Sequence, residues 1–74
     1  MSLSMNEEIH ISVNGLKEKV PANVTISYLI EYFKEDDVHL IVEHNGQFLY
    51  PQKYATTVVM NGDIIEFINP NFGG

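Results

Sequence analysis

The last six residues, Asn69-Pro70-Asn71-Phe72-Gly73-Gly74, offer the chemistry of an α-carboxylate on a backbone stripped of side chains. Glycine at 73 and 74 keeps the cross-section small, since any Cβ there would widen the chain and restrict its φ/ψ. Fully extended, residues 69 to 74 reach about 20 Å, enough to carry the carboxylate into a deep slot on another protein. Pro70 fixes its own φ and pre-extends the segment, which lowers the entropy lost on threading. Phe72 supplies an apolar anchor just outside such a slot. Nothing in Asn71 to Gly74 can be packed or paired, so this tail is expected to be mobile in the free protein. A carboxylate is a poor acyl donor, because resonance stabilises it and its oxygen leaves badly. It becomes useful only after conversion to a better leaving group, and an acyl-adenylate supplies one.

Other reactive residues form no constellation. His10, His39 and His44 are not spaced with carboxylates in the usual manner of a zinc site, and ordinary surface or core-edge histidines are expected. No metal site is expected. On strand parity, His39 and His44 should point to opposite sides, one toward a helix and one toward solvent. Ser27, Thr56 and Thr57 have no histidine–acid partner at a recognisable spacing. The short glycine-containing turns do not make a phosphate loop. The chain has no cysteine, so it can form neither a disulfide nor a thioester, and a thiolate metal site is excluded.

The elements that must position the tail are few. Seventy-four residues make at most one domain, with a core only just sufficient. Ten acidic residues oppose four lysines, a formal net charge of −6, which argues against nucleic acid and against an anionic membrane surface. The acidity keeps the domain soluble or steers it onto a basic partner. No apolar run is long enough to span a membrane, and no N-terminal segment reads as a signal peptide, so a cytoplasmic protein is expected. Met1 to Ser4 read as a cloning remnant ahead of a natural start at Met5. The globular unit is expected over residues 5–69, followed by a tail over 70–74.

Ile9, Ile11 and Val13 alternate with His10 and Ser12 at strand period. Asn14-Gly15 then signals a hairpin turn, and the return strand runs from Leu16 to Val20. Ile26, Leu29, Ile30 and Phe33 fall at i, i+3, i+4 and i+7, one apolar stripe of a helix. That helix is predicted from Ile26 to Lys34, with Thr25 as its N-cap. A second hairpin is predicted around Asn45-Gly46, with Leu40 and Val42 inward and Phe48 to Tyr50 returning. Residues 52–63 read mostly as loop. Ile64 to Ile68 form a last strand, which must end by Asn69 because Pro70 cannot donate to a ladder. One helix with one stripe covers one face of one sheet, giving a two-layer α+β domain.

Parity in the last strand separates Ile65 and Phe67 from Ile64, Glu66 and Ile68. With the first pair toward the helix, Ile64 and Ile68 lie on the open face of the sheet, joined there by Ile41. Contiguous exposed apolar area marks an interaction site, and this one leads directly into the tail. The aromatic residues Tyr28, Tyr32, Phe33, Phe48, Tyr50, Tyr54 and Phe67 are expected mostly in the core or at its edge.

The element order, the stretches "VEHNGQFLY" and "YATTVVMNGDIIEF", and the terminal Gly-Gly together resemble the ubiquitin-like sulfur carriers of the ThiS and MoaD type. The likeness is strongest to the ThiS branch and covers nearly all of residues 5–74. The resemblance implies a β-grasp fold: a mixed sheet of four to five strands, one helix across one face, and the first and last strands paired in parallel at the centre. It implies a protein co-substrate, not an enzyme, with no bound cofactor. An E1-like adenylating enzyme of the ThiF or MoeB type spends ATP to adenylate the carboxylate of Gly74, and a persulfide sulfur then converts it to a thiocarboxylate. A synthase of the thiazole-synthase type receives the sulfur. Gly73, Phe72, Asn71 and Pro70 would thread the tail, Ile68, Ile64 and Ile41 would form the partner surface, and the free carrier would be a monomer. Pro70 departs from ThiS-like tails, which usually lack proline there, whereas MoaD-like tails often carry it. A MoaD-type carrier for molybdopterin or amino-acid biosynthesis therefore stands as an alternative, and so, independently of Pro70, do a ubiquitin-like modifier joined to lysines and a plain interaction module.

Overall fold

Two of the three Asn-Gly dipeptides organise the chain. Asn14 and Gly15 have φ of 52° and 85°, and Asn45 and Gly46 have φ of 53° and 82°. This doubly positive backbone is that of the hairpin turn whose twist matches its flanking strands. In the computed structural model, which describes residues 7–70, the first turn joins β1 (Glu8–Val13) to β2 (Leu16–Pro21). The second joins β3 (Ile41–His44) to β4 (Gln47–Leu49). One helix, α1 (Ile26–Tyr32), lies between the hairpins in the chain, and β5 (Ile64–Ile68) closes it after a 3-10 turn at Pro51–Lys53. The expectations for Met1–Ser4 and for the mobility of Asn71–Gly74 lie outside the described residues.

The five strands form one sheet in the order β2-β1-β5-β3-β4. β1 and β5 are parallel, with Ser12 beside Ile64 and Val13 beside Ile65, and the other neighbours are antiparallel. This is the β-grasp arrangement, with the chain's first and last strands adjacent at the centre. The helix covers one face. Ile26 and Leu29 are fully buried against Ile11, Val13, Val20, Val42, Val59, Ile65 and Phe67, with Ile30 and Phe33 packed at the edge. Burying each such aliphatic side chain is worth about 1.5–3 kcal/mol. Val59, in the segment read as loop, joins this core because residues 54–59 close over the start of the helix. The amides of Ile26 and Ser27 donate to the carbonyls of Thr57 and Tyr54. Tyr28 N donates to Thr25 Oγ1 at 3.2 Å, so the helix start is capped by both loop and side chain.

The aromatic expectation is corrected. Tyr28, Tyr32, Phe48 and Tyr50 are exposed, and only Phe67 is buried, with Phe33 and Tyr54 packed at the core's edge. Tyr28 and Tyr32 sit one helical turn apart off the apolar stripe and stack on each other at 5.7 Å. Phe48 takes the strand parity opposite to Leu49, the residue of β4 that packs on the core. Leu16, on the same strand face as Val20, is also exposed, because it stands at the hairpin end beyond the helix.

The helix stops two residues short of the predicted Lys34, at Tyr32 with Phe33 as C-cap. Lys34 N donates to Glu31 O and Glu35 N to Ile30 O, the paired bonds of a Schellman ending. That ending needs a left-handed residue after the cap, and Lys34 adopts it with φ of 58°, where glycine is usual. Lys34→Gly should therefore stabilise the domain by about 1 kcal/mol, raising the melting temperature by about 4–8 °C in thermal denaturation followed by circular dichroism.

The turn before β5 is anchored by a buried carboxylate. Asp63 is 8% exposed. Its Oδ2 lies 2.8 Å from His44 Nε2 and accepts from Met60 N at 2.9 Å, while its Oδ1 accepts from Asn45 Nδ2 at 3.1 Å. The carboxylate can only accept, which assigns the proton of the imidazole bond to Nε2. Burial works to raise the Asp63 pKa. The hydrogen bonds from His44, Met60 and Asn45 and the attraction of the His44 ring outweigh it, holding the carboxyl below the ordinary 3.8. A carboxyl whose pKa is lower in the folded state stabilises the fold above its unfolded value and loses that contribution as pH falls through the folded one. Denaturant titrations across pH should show Asp63→Asn less stable than the parent at neutral pH, with the gap closing as pH drops below 3.8.

Candidate functional site

The face of the sheet opposite the helix is set by the alternation of each strand. On β5 it displays Ile64, Glu66 and Ile68, and on β3 Ile41 and Glu43. Ile64 is 51% and Ile68 36% exposed, whereas their neighbours Ile65 and Phe67 are buried, as parity predicts. The antiparallel register sets Ile41 directly opposite Ile68 and Glu43 opposite Glu66. Ile41 is half-buried. Of the expected surface residues, the fold brings Ile41 and Ile68 into one cross-strand pair and places Ile64 further along the same strand, beside Ser12 of β1.

Two more residues belong to this face. Phe48 lies opposite Glu43, so it shares the open side with Ile41. Phe48 and Tyr50 are 51% and 61% exposed and meet edge to face at 4.8 Å. The signal was present in "QFLYP", where Leu49 alone is inward, but reading it required knowing which face β3 turns to the helix. The result is an apolar patch across β5, β3 and β4, interrupted by two carboxylates directly across from each other. Like charges opposed on neighbouring strands are destabilising when nothing compensates them, and among the described residues no cation pairs with Glu43 or Glu66. The β1–β2 side of the same face is polar. Lys17 stands beside Ser12 and Lys19 beside His10, and Lys19 reaches Glu8 at 3.8 Å, an exposed pair worth little.

The patch continues into the chain end. β5 stops at Ile68, Asn69 follows with its side-chain amide 3.4 Å from Glu35 Oε1, and Pro70 is exposed. Asn71, Phe72, Gly73 and Gly74, the remaining residues assigned to tail threading and acyl chemistry, lie outside the described residues.

The other candidates have structural occupations. His44 is held by Asp63 on the helix side, while the side chain of His39 is largely exposed, with its ring 3.9 Å from Asp37. This is the opposition that strand parity predicts, although His39 lies just outside β3. Thr56 and Thr57 donate their hydroxyls to the Lys53 carbonyl at 3.3 and 2.8 Å, closing a turn. Among the described residues no three His, Asp or Glu side chains gather into a possible metal site, and no described helix is long and apolar enough to cross a membrane.

Comparison with known proteins agrees with this geometry. No curated protein sequence matches the chain. A solved structure of a thiamine biosynthesis protein (ThiS) from Geobacter metallireducens superposes with a TM-score of 0.78 at 28% sequence identity, covering 89% of this chain and 100% of the other. The sequence model of the ThiS family matches residues 5–74, from Met5 through the strand that bears the apolar patch to the last glycine. The chain therefore belongs to the ThiS family of small sulfur-carrier proteins.

Proposed function

We propose that this protein is the sulfur carrier of thiazole formation in thiamine biosynthesis, and that its working atom is the carboxyl carbon of Gly74. The observation that carries this reading is the family match running to the terminal Gly-Gly. The open apolar face leading into that tail supports it. The protein acts as a co-substrate. An E1-like enzyme would bind the sheet face through Ile41, Ile64 and Ile68 and take the tail into its ATP site. A carboxylate oxygen of Gly74 attacks the α-phosphorus, and pyrophosphate leaves. The resulting mixed anhydride has AMP as leaving group, which a bare carboxylate lacks. A persulfide sulfur then attacks the carboxyl carbon and expels AMP, and a thiol opening the acyl disulfide leaves –COS⁻. The thiocarboxylate is a sulfur nucleophile on a narrow arm, suited to delivery inside a thiazole synthase. The domain's part in all this is reach and orientation: Pro70 stiffens the tail, Asn71 and Phe72 position it, and Gly73 lets it pass.

Intact mass of the protein isolated from its own cells tests the chemistry. One oxygen replaced by sulfur at the C-terminus is expected, whereas branched Gly-Gly peptides on other proteins would mark a modifier.

Removing Gly74 leaves Gly73 with an equally acidic carboxylate but shortens the arm by about 3.5 Å. Misplacement by about 1 Å can already cost a hundredfold in rate, so pyrophosphate exchange with the cognate enzyme should fall at least that far while circular dichroism stays unchanged. Adding a residue after Gly74 should fail equally. On the sheet face, Ile68→Asp should weaken binding to the activating enzyme by about 2 kcal/mol, the cost of losing a central apolar anchor. Titration calorimetry would measure that loss. Its melting temperature should remain close to the parent's, because Ile68 is already 36% exposed. Unfolding of this variant would mean that Ile68 is core and the face assignment fails.

A further inference from the structure

The three Asn-Gly dipeptides, at 14–15, 45–46 and 61–62, share a feature beyond their turns. The fold ties each asparagine side chain to a backbone amide distant in the chain. Asn14 Oδ1 accepts from Phe67 N at 2.7 Å, Asn45 Oδ1 from Ile64 N at 2.8 Å and Asn61 Oδ1 from His10 N at 2.8 Å. All six residues are exposed to water. This dipeptide is also the one in which an asparagine side chain closes most readily on the next peptide nitrogen, because glycine places no side chain beside that nitrogen. The attack needs rotation about the Cα–C bond of the asparagine. It must therefore first release whatever holds the side chain and the glycine amide.

The three sites differ in what must be released. Asn45 gives up two side-chain bonds, since its Nδ2, the leaving group, also donates to Asp63 Oδ1 at 3.1 Å. Asn61-Gly62 gives up two as well, because the attacking Gly62 nitrogen donates to His10 O at 2.8 Å. Asn14-Gly15 has one such bond to break, the one from Phe67 N. Asn14 Nδ2 and the Gly15 amide donate to none of the described residues.

We propose that Asn14-Gly15 is a site of spontaneous deamidation in the folded protein, and that the other two Asn-Gly sites are shielded by their additional bonds. The Gly15 nitrogen gives its proton to solvent base and attacks Cγ of Asn14. An N–C bond forms, the Cγ–Nδ2 bond breaks, and the side-chain nitrogen takes up a proton and leaves as ammonia. A water molecule then opens the cyclic imide. Attack at the former side-chain carbonyl gives aspartate. Attack at the backbone carbonyl gives isoaspartate, in which the chain runs through the β-carbon. Water enters and ammonia leaves, with nothing oxidised or reduced.

The two products differ in what they do to β5. Aspartate keeps an oxygen for Phe67 N. Isoaspartate adds a carbon to the backbone of a turn whose twist matches its strands only at its own length, and it withdraws that acceptor. Phe67 is buried in the last strand, so the isoaspartyl form loosens the end of β5. The site is remote from the chemistry assigned to Gly74 and does not rest on it.

The test incubates the full chain in mildly alkaline buffer, folded and, in parallel, in denaturant. Cleavage after Lys17, Lys34 and Lys53 puts the three sites on separate peptides, in which mass spectrometry with fragmentation distinguishes asparagine, aspartate and isoaspartate. In denaturant the three sites should react at similar rates. In the folded chain Asn14 should lead each of the others by roughly fivefold or more, the effect of one hydrogen bond fewer to release. Amide hydrogen exchange at Phe67 should be faster in the purified isoaspartyl protein than in the parent. The variant Asn14→Asp, which retains the acceptor, should keep that exchange slow. Three results each overturn the proposal: Asn45 or Asn61 reacting first in the folded chain, all three reacting there at equal rates, or Asn14 staying intact while the denatured chain is converted. An isoaspartyl protein whose Phe67 amide exchanges as slowly as the parent's overturns the assigned loosening of β5.

Discussion

A strand in the middle of a sheet must satisfy both of its backbone edges, and in this protein everything else is arranged so that β5 can. It enters between two hairpins that were complete before it in the chain, parallel to β1 and antiparallel to β3. The hairpin turns do more than reverse direction. Asn45 N donates to Ile64 O at 2.7 Å, and Asn45 Oδ1 accepts from Ile64 N at 2.8 Å. Asn14 N donates to Ile65 O at 3.0 Å, and Asn14 Oδ1 accepts from Phe67 N at 2.7 Å. Asparagine tolerates the left-handed backbone of the turn and also carries an amide that can extend a ladder. One residue type thus makes each hairpin and clamps the strand that unites them.

The same strand joins the core to the open face. Its buried residues, Ile65 and Phe67, close the core beneath α1, while Ile64 and Ile68 stand on the other side. A single helix cannot cover both faces of a five-stranded sheet, so the open face is a direct result of the fold's small size. The chain populates that face with isoleucines, Phe48 and Tyr50 instead of a uniformly polar surface, and it opposes Glu43 to Glu66 in the middle. Facing like charges are unfavourable in isolation, and contiguous exposed apolar area is a mark of interaction surfaces. β5 is followed directly by Asn69 and Pro70, so the open face and the start of the C-terminal segment share one strand.

The C-terminal end of the helix and the turn before β5 show where local preference gives way. Lys34 occupies a left-handed position suited to glycine, a small local cost carried by the packing of Ile30 and Phe33 against the core. Asp63 is removed from water, and its burial is offset by three donors, two from the β3–β4 hairpin and one from the loop before β5. These arrangements also bring the end of β5 against the end of the helix, where Phe33 and Phe67 meet at 6.4 Å and Asn69 reaches Glu35.

Much of the architecture is written in short-range patterns. The two Asn-Gly turns, the helical stripe from Ile26 to Phe33, the alternation of Ile64 to Ile68 and the stop imposed by Pro70 each depend on neighbours within a few residues. They can be read from the chain alone because backbone sterics and side-chain period act locally. The Gly-Gly end and the open-face parity of Ile64 and Ile68 were legible for the same reason. The pairing of β1 with β5 was not legible from period or composition and came only through family likeness, since no local rule joins Ser12 to Ile64 across fifty residues. Strand register then decided what alternation could not. It turned Phe48 and Tyr50 outward, against their large apolar character, and set Glu43 across from Glu66. It also brought Asp63 to His44, while the closure of residues 54–59 over the helix start drew Val59 from a loop into the core. Local sequence determines which sides a residue can face; only the assembled sheet determines which of those sides is inside, because burial belongs to the neighbours and not to the residue.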